Sequence, residues 1–343
     1  MGAPGSGKSW NLEELRWGWF RMSFMRSWVG LVCRGLVFIL VLAGCAFGQE
    51  SAPDSTLTTP APPPAALKPI DLKPDASGTV APEQIRALLL RAEAKDLENE
   101  KQQRDYTYSE RAEEHHLDGH GAVKKIESRS FEVLEIYGEQ VQRLTAKDDQ
   151  PLAADEAKKE DDKIQKIIDK RKNESEEDRR KRLEKEEKDR EEDRKFVLEI
   201  ADAFNFRLVG SETIGGHDAW VLEGEPRPGY EPRSREAKVL AKFKGRVWID
   251  KSEAQWVKLD ITAVDTVSFG WVLARIHKGT RVVVELTKVN DEVWLPKYLQ
   301  LHLDARIALF KGYDEDVEQT YRDYKKFRSR TKMTVLGAES GEQ

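Results

Sequence analysis

Residues 244–264 read KGRVWIDKSEAQWVKLDITAV, two runs rich in β-branched and aromatic residues on either side of the polar residues 251–253. This pattern predicts a β-hairpin. Similar strand-like segments separated by turns occur before and after it, at residues 206–213, 219–223, 281–289, 294–303 and 317–327. Successive antiparallel strands, with the helices grouped elsewhere, indicate an α+β domain with one curved sheet.

The segment before these strands combines a helix with a first group of strands. Residues 82–103 begin with Pro82, which suits a first helical turn, and carry an apolar stripe at helical spacing. Members of the stripe are Ile85, Leu88, Leu89, Ala92 and Leu97. Alternating patterns then predict strands at residues 106–111, 123–137 and 141–146, with a turn at residues 118–119.

Charged residues dominate between residues 155 and 195. Acidic residues stand four positions before basic ones in this segment, an order that stabilises helices. Ser175 and Asp178 resemble a helix N-cap arrangement, which predicts a break between two helices at residues 173–175. The main apolar positions are Ile164, Ile167, Ile168 and Leu183. Because this stripe is thin, an exposed helical excursion is favoured over a docking arm.

The chain begins with a segment that is typical of export. Residues 35–47 read GLVFILVLAGCAF and follow the basic residues Arg26 and Arg34, the order of a secretory signal. This stretch is short for a membrane span, which needs about 20 apolar residues. An uncleaved anchor that extends back to Val29 remains the alternative.

The sequence LAGC at residues 42–45 resembles the lipobox of bacterial lipoproteins, in which the thiol of Cys45 would accept a diacylglyceryl group. Ala46 and Gly48 offer a rival site, with cleavage before Gln49 and a soluble secreted product. Residues 49–82 are rich in Pro, Ala, Ser and Thr and would form an extended tether.

These patterns predict four parts of the chain. They are a signal segment at 1–44, a disordered tether at 45–82, a domain at 83–330 with a charged helical insertion at 152–200, and a disordered tail at 331–343. Residues 1–44 carry five basic and two acidic side chains, a net charge of +3, so the remainder of a chain of net charge −5 carries −8. An acidic mature protein is a poor candidate for binding nucleic acid.

Candidate catalytic and metal-binding residues are few. The only cysteines, Cys33 and Cys45, lie in the export segment, so no disulfide or cysteine metal site is expected in the domain. His115, His116 and His120 cluster near the predicted turn at residues 118–119, where a solvated turn is favoured over a metal site. No catalytic motif, metal site or cofactor site is predicted, and the protein is expected not to be an enzyme.

Tryptophans are the main candidates for ligand contacts. Five fall on or beside predicted strands: Trp220, Trp248, Trp256, Trp271 and Trp294. Several tryptophans on one concave sheet would suit an apolar ligand cavity. For any single tryptophan, a place in the hydrophobic core is the alternative.

Several strand segments resemble the LolA/LolB-like group of outer-membrane lipoprotein-sorting proteins, in particular an uncharacterised envelope branch of it. They are GRVWID at 245–250, WVKL at 256–259, FRLVG at 206–210, AWVLE at 219–223 and NDEVWLP at 290–296. The resemblance covers roughly residues 85–327. It implies a half-barrel sheet wrapped around helices, with an apolar cavity for acyl chains. The charged excursion departs from this pattern, and no lid or receptor-docking residue can be matched.

Together, the patterns and the resemblance predict a non-enzymatic periplasmic envelope lipoprotein that binds lipid or lipoprotein acyl chains. Its membrane contact would be the N-terminal lipid anchor, with the outer membrane as the default site and a soluble periplasmic form as the alternative. The alternative function is a structural or sensory envelope module that uses the same fold without lipid transfer.

Acylation of Cys45 can be tested by metabolic labelling with a lipid precursor. We expect the wild-type chain to be labelled and the Cys45→Ala variant to be unlabelled, because the variant lacks the thiol that accepts the lipid. Equal labelling of the two proteins, or none in either, would refute the anchor.

Overall fold

A computed structural model describes residues 71–76, 79–137, 139–233, 236–269, 274–307 and 311–327. The export segment, Cys45, most of the tether and the C-terminal tail lie outside the described residues. No helix in these six ranges combines the length and apolar character that crossing a membrane requires.

The described part of the chain contains three α-helices, a short 3-10 helix and thirteen strands. The helices are α1 (Pro82–Gln103), α2 (Ala154–Lys172), α3 (Glu176–Ala203) and the 3-10 helix Glu236–Lys242. The strands are β1 (Tyr106–Leu117), β2 (Val123–Ile136), β3 (Glu139–Lys147), β4 (Gln150–Pro151), β5 (Phe204–Ile214), β6 (His217–Pro226), β7 (Phe243–Asp250), β8 (Trp256–Ala263), β9 (Val267–Phe269), β10 (Ala274–Ile276), β11 (Arg281–Val289), β12 (Val293–Ile307) and β13 (Lys311–Lys326).

All strands belong to one antiparallel sheet in the order β4-β3-β2-β1-β13-β12-β11-β8-β7-β6-β5, with β10 and β9 beside β12. The first and last strands of the chain are neighbours, because β1 pairs with β13. The order ends at β4 and β5, so the sheet is unclosed and curved. The predicted α+β class with a curved antiparallel sheet is therefore confirmed, as are the predicted hairpins.

Helix α1 lies against the concave face of this sheet. Ile85, Leu88, Leu89 and Ala92 are each 4% exposed or less and share one core with residues of β1, β2, β6–β8 and β11–β13. The helix contacts β5, β8 and β12, strands that are far apart in the order, which requires the sheet to curve around it. Full burial of each large apolar side chain contributes about 1.5–3 kcal/mol.

Two polar contacts fix where α1 sits along the sheet. The amide of Asn99 donates to the carbonyl oxygen of Trp294 at 2.8 Å, and the backbone N–H of Trp294 donates to Asn99 Oδ1 at 2.7 Å. One turn earlier, the amide of Gln255 donates to Asp96 Oδ1 at 3.0 Å. Burial raises the pKa of Asp96 to about 7 despite this hydrogen bond.

Helix α2 packs on the opposite face of the sheet. Its Ile164 is buried with Ile136 and Val141, whereas Val133, three positions before Ile136 on β2, belongs to the α1 side. The predicted charged helical excursion is observed in α2: Ile164 is its one buried residue, and more than half of its residues are exposed. The helix break is as predicted, since Asp178 N donates to the side chain of Ser175 at 3.1 Å.

The buried carboxyl of Asp96 makes a pH-dependent contribution to stability. Because its pKa is raised in the folded state, the folded chain binds more protons than the unfolded chain between about pH 4 and 7, and stability falls as the pH rises through that range. We expect Asp96→Asn to raise the free energy of unfolding at pH 8 by on the order of 2 kcal/mol, and to change it little at pH 4.

Urea unfolding at both pH values measures this effect. Glu98→Gln, on the exposed side of the same helix, is the matched control. It removes the exposed Lys95–Glu98 pair, so its free energy of unfolding should stay within about 0.5 kcal/mol of the wild type at both pH values. If Asp96→Asn raises the free energy of unfolding equally at pH 4 and pH 8, ionisation of the Asp96 carboxyl does not explain the increase.

Candidate functional site

Beside α1, the concave face carries an apolar cleft that α3 and the 3-10 helix cover. The α3 cleft consists of two adjacent cavities, of about 70 and 60 Å³, which share the walls formed by Ile200, Phe206, Val247 and Ile261. The first is also lined by Phe196, Phe204, Gly224, Val239, Leu240, Phe243, Lys244 and Gly245. The second is also lined by Leu89, Leu90, Glu93, Leu198, Ala201, Trp256 and Leu259.

Alternate residues of β7 form the floor of the α3 cleft, and two glycines allow close packing there. Phe243, Gly245 and Val247 are alternate residues of β7, so they share one face of the sheet. A Cβ at Gly224 would lie 2.6 Å from the ring of Phe206, and a Cβ at Gly245 would lie 2.5 Å from the carbonyl oxygen of Asp260. Glycine at these positions therefore allows the Phe206 ring and strand β8 to lie close to the floor.

The cover of the cleft is the C-terminal end of α3. Phe196 and Ile200 are four residues apart, so they project from the same side of the helix and meet the sheet together. The chain then passes directly into β5, where the rings of Phe204 and Phe206 lie 5.9 Å apart. Buried Phe196, Ala203, Phe204, Ala237 and Leu240 form a small core between α3, β5 and the 3-10 helix.

Polar contacts hold the cover from its outer side. Glu199 accepts hydrogen bonds from the hydroxyl of Tyr230 at 3.0 Å and from the backbone N–H of Arg233 at 2.6 Å. Asp202 pairs with Arg86 of α1 at 2.7 Å and with Arg233 at 2.9 Å. Burial acts to raise the pKa of Asp202, but the hydrogen bond and charge of Arg86, with the charge of Arg233, hold it below its ordinary value.

The size of the cleft limits what it can hold in this conformation. An engineered apolar cavity of about 150 Å³ takes one benzene molecule, and each of the two cavities is smaller than that. An acyl chain can therefore enter only if the cover moves away from the sheet.

The structure brings one of the predicted tryptophans to the cleft. Trp256 lines the second cavity and is 6% exposed. Its indole N–H is buried and has no hydrogen-bond acceptor among the residues that the structure describes. Trp271 lies outside the described residues.

The other three tryptophans lie away from the two cavities. The N–H of Trp248 donates to Glu212 at 2.8 Å, and that of Trp294 donates to Glu253 at 2.8 Å. The ammonium of Lys251 lies 4.4 Å from the ring centre of Trp220.

Phenylalanines supply most of the aromatic lining, although none of them was a candidate on sequence grounds. Phe196 stands at the end of the charged segment, where the composition of the preceding turns hides it. The spacing of Phe196, Ile200, Ala203 and Phe204 is the signal that would have indicated an apolar end to α3.

The predicted solvated turn is wrong for two of its three histidines, because pairing with β2 and β13 extends β1 through His115 and His116. His115 Nε2 lies 2.7 Å from Glu113 Oε1. His116 lies between Glu127 and Glu315, at 2.8 and 3.0 Å. His120 remains in the exposed turn, where its backbone N–H donates to Asp118 at 2.8 Å.

No model of a known protein family matches the sequence, and no curated protein matches it. Solved structures are similar at low identity. One from Vibrio parahaemolyticus, described as an outer membrane lipoprotein-sorting protein domain, is 12% identical over 71% of this chain and 95% of its own, with a TM-score of 0.28.

Two further structures are similar to the same extent. A LolA superfamily protein from Nitrosomonas europaea is 12% identical over 71% of this chain and 93% of its own, with a TM-score of 0.26. A DUF1329 family protein from Desulfovibrio piger is 11% identical over 70% of this chain and 91% of its own, with a TM-score of 0.24. These likenesses concern the fold alone, and no functional residue is carried over from them.

The ion pairs of Asp202 should control how often the cover opens. We expect Asp202→Asn to make the amide hydrogens of residues 196–203 exchange several-fold faster, because exposed ion pairs contribute about 0.2–1 kcal/mol each. Amides in β7 and β8 should keep their rates. Glu177→Gln, which removes the exposed Glu177–Lys181 pair near the start of α3, is the control. Equal exchange at residues 196–203 in all three proteins would contradict this role.

Proposed function

We propose that this protein is a non-enzymatic envelope protein that holds one apolar chain, such as an acyl chain of a lipid or lipoprotein, in the α3 cleft. The observation that carries the proposal is the composition of the cleft, whose first cavity is walled by four phenylalanines and five aliphatic side chains. Such a wall offers non-directional contacts that suit a hydrocarbon and leaves the polar groups of a sugar, nucleotide or peptide without partners.

The ligand would be held by burial of its hydrocarbon and not by charge. Lys244 is the one charged residue among those that line the first cavity, and its exposed side chain alternates with Phe243 and Gly245, so it projects from the other face of β7. An acyl chain inside the cleft would gain about 0.8 kcal/mol for each buried methylene.

Opening of the cover is compatible with the contacts that hold it. The side chains of Arg86 and Arg233, which both pair with Asp202, are 48% and 70% exposed. Breaking these two ion pairs therefore costs little free energy. The main cost is exposure of Phe196, Ile200 and Leu240, and a bound hydrocarbon would restore those contacts. Ligand uptake would thus exchange protein–protein contacts for protein–lipid contacts of similar kind.

The proposed location rests on the sequence. The secretory pattern at residues 35–47, the lipobox-like LAGC at 42–45 and the proline-rich tether support an envelope protein anchored through Cys45. On this proposal the domain faces the periplasm, held to the outer membrane. A soluble periplasmic form follows instead if cleavage occurs before Gln49.

A second candidate function is a structural or sensory envelope module that uses the fold without lipid. One observation favours it: α1 already fills much of the concave face with Ile85, Leu88, Leu89 and Ala92. What separates the two candidates is whether the remaining cleft opens to take a ligand.

Binding of a fluorescent fatty acid such as cis-parinaric acid tests the first candidate. We expect the exported chain to bind about one equivalent, and Val247→Phe to bind at least about tenfold more weakly, because the larger side chain fills the wall that both cavities share. Val209→Phe, at a position 43% exposed on β5, is the matched control and should bind like the wild type.

Native mass spectrometry of the chain purified from cells provides the second measurement. Co-purified lipid in the wild type and its loss in Val247→Phe would support the proposal. Folded protein that is repeatedly empty and binds no probe would refute it and favour the structural or sensory module.

A further inference from the structure

A second group of chemically active side chains lies on β2, β1 and β13, away from the α3 cleft. Glu114 and His116 are two residues apart on β1, so they share one face of the sheet. On β2, Glu127 lies directly opposite Glu114. On β13, Glu315 lies directly opposite His116. The strand register thus brings one imidazole and three carboxylates together from three strands.

The distances within this group suit a small cation. His116 Nε2 lies 2.8 Å from Glu127 Oε2 and 3.9 Å from Glu114 Oε2. One ligand atom from each of these three residues lies within 4.8 Å of the others. Tetrahedral zinc bonds of about 2.0–2.2 Å place neighbouring ligand atoms roughly 3.4 Å apart, so small side-chain shifts would suffice.

Glu315 orients the imidazole in the way that metal sites require. Its Oε1 lies 3.0 Å from His116 Nδ1, so it can accept the Nδ1–H of an imidazole whose Nε2 binds a metal. The other ring nitrogen, Nε2, faces Glu127 and Glu114. Histidines that bind metals commonly donate their other ring N–H to a carboxylate in this manner.

Charge and burial add an independent reason for a cation. Glu114 and Glu315 are 8% and 9% exposed, and buried charges require compensation. Like charges directly opposite each other on neighbouring strands, as in Glu114 and Glu127, destabilise a sheet. A cation bound between the two strands would offset the repulsion between Glu114 and Glu127, as Lys125 already does at 2.7 Å from Glu127.

We propose that Glu114, His116 and Glu127 bind a zinc ion, with Glu315 as the positioning residue for His116. A mixed set of one imidazole nitrogen and carboxylate oxygens fits zinc, whereas magnesium and calcium take oxygen ligands throughout. The ion would link β1 to β2 near their connecting turn. Three protein ligands leave a fourth position for water or a further ligand. This site is independent of the proposed lipid binding.

Isothermal titration of the exported, untagged and metal-stripped chain with zinc chloride tests the site. We expect one equivalent of zinc to bind, with affinity at least about tenfold weaker in His116→Ala and in Glu127→Gln. Glu315→Gln should weaken binding less while leaving one equivalent bound. The control is His277→Ala, which removes the ring of a histidine that lies 2.8 Å from Asp304 outside this group and should bind zinc like the wild type.

Glu127→Gln keeps the size of the side chain, so it carries the test if His116→Ala fails to fold by circular dichroism. Absence of zinc binding to the folded wild type would overturn the proposal. Unchanged affinity in Glu127→Gln would overturn it equally, as would calcium that competes with zinc at equal concentration.

Discussion

Helix α1 packs Ile85, Leu88, Leu89 and Ala92 into the concave face of the sheet, and the other parts of the domain are arranged around that contact. The strands it meets are distant in the sheet order, so the helix makes apolar contacts that a flat sheet would not provide. The paired hydrogen bonds between Asn99 and Trp294 then fix its position along the sheet. Burial supplies the free energy, and these polar contacts supply the register.

Because α1 occupies the middle of the concave face, it divides the rest of that face into two areas of different chemistry. Towards β5–β8 the remaining surface is apolar and forms the α3 cleft. Towards β1 and β13 it becomes polar, with Glu110, Glu114 and His116 on the same face of β1 as Tyr108 of the α1 core. Burial raises the pKa of Glu110 to about 7. One curved sheet thus presents an apolar site and an ionisable site on opposite sides of one helix.

Helix α3 joins two kinds of sequence in one element. Its first turns are charged and exposed, with Leu183 47% exposed, whereas Phe196 and Ile200 near its end form a wall of the cleft. Among the side chains of α3 that the structure describes, the buried ones lie in its last turns. The solvated part of such a helix adds little to its tertiary stability. That arrangement suits a cover that opens, with Asp202 and Glu199 as the polar contacts that close it.

Local patterns in the sequence determined the elements: the hairpins, α1 with its stripe, the break at Ser175 and the α+β class all follow from periodicity and turn chemistry, which act over a few residues. The sites depended on contacts between distant segments. Strand register placed Glu127 and Glu315 beside His116, and the path of α3 placed Phe196 over Phe206. Trp256 and Trp248 are equivalent candidates in the sequence, but they have different surroundings in the structure. Trp256 lines a cavity, whereas the N–H of Trp248 donates a hydrogen bond to Glu212. Periodicity specifies which face a residue shares within its own element, but only the packing of elements far apart in the chain decides what covers that face.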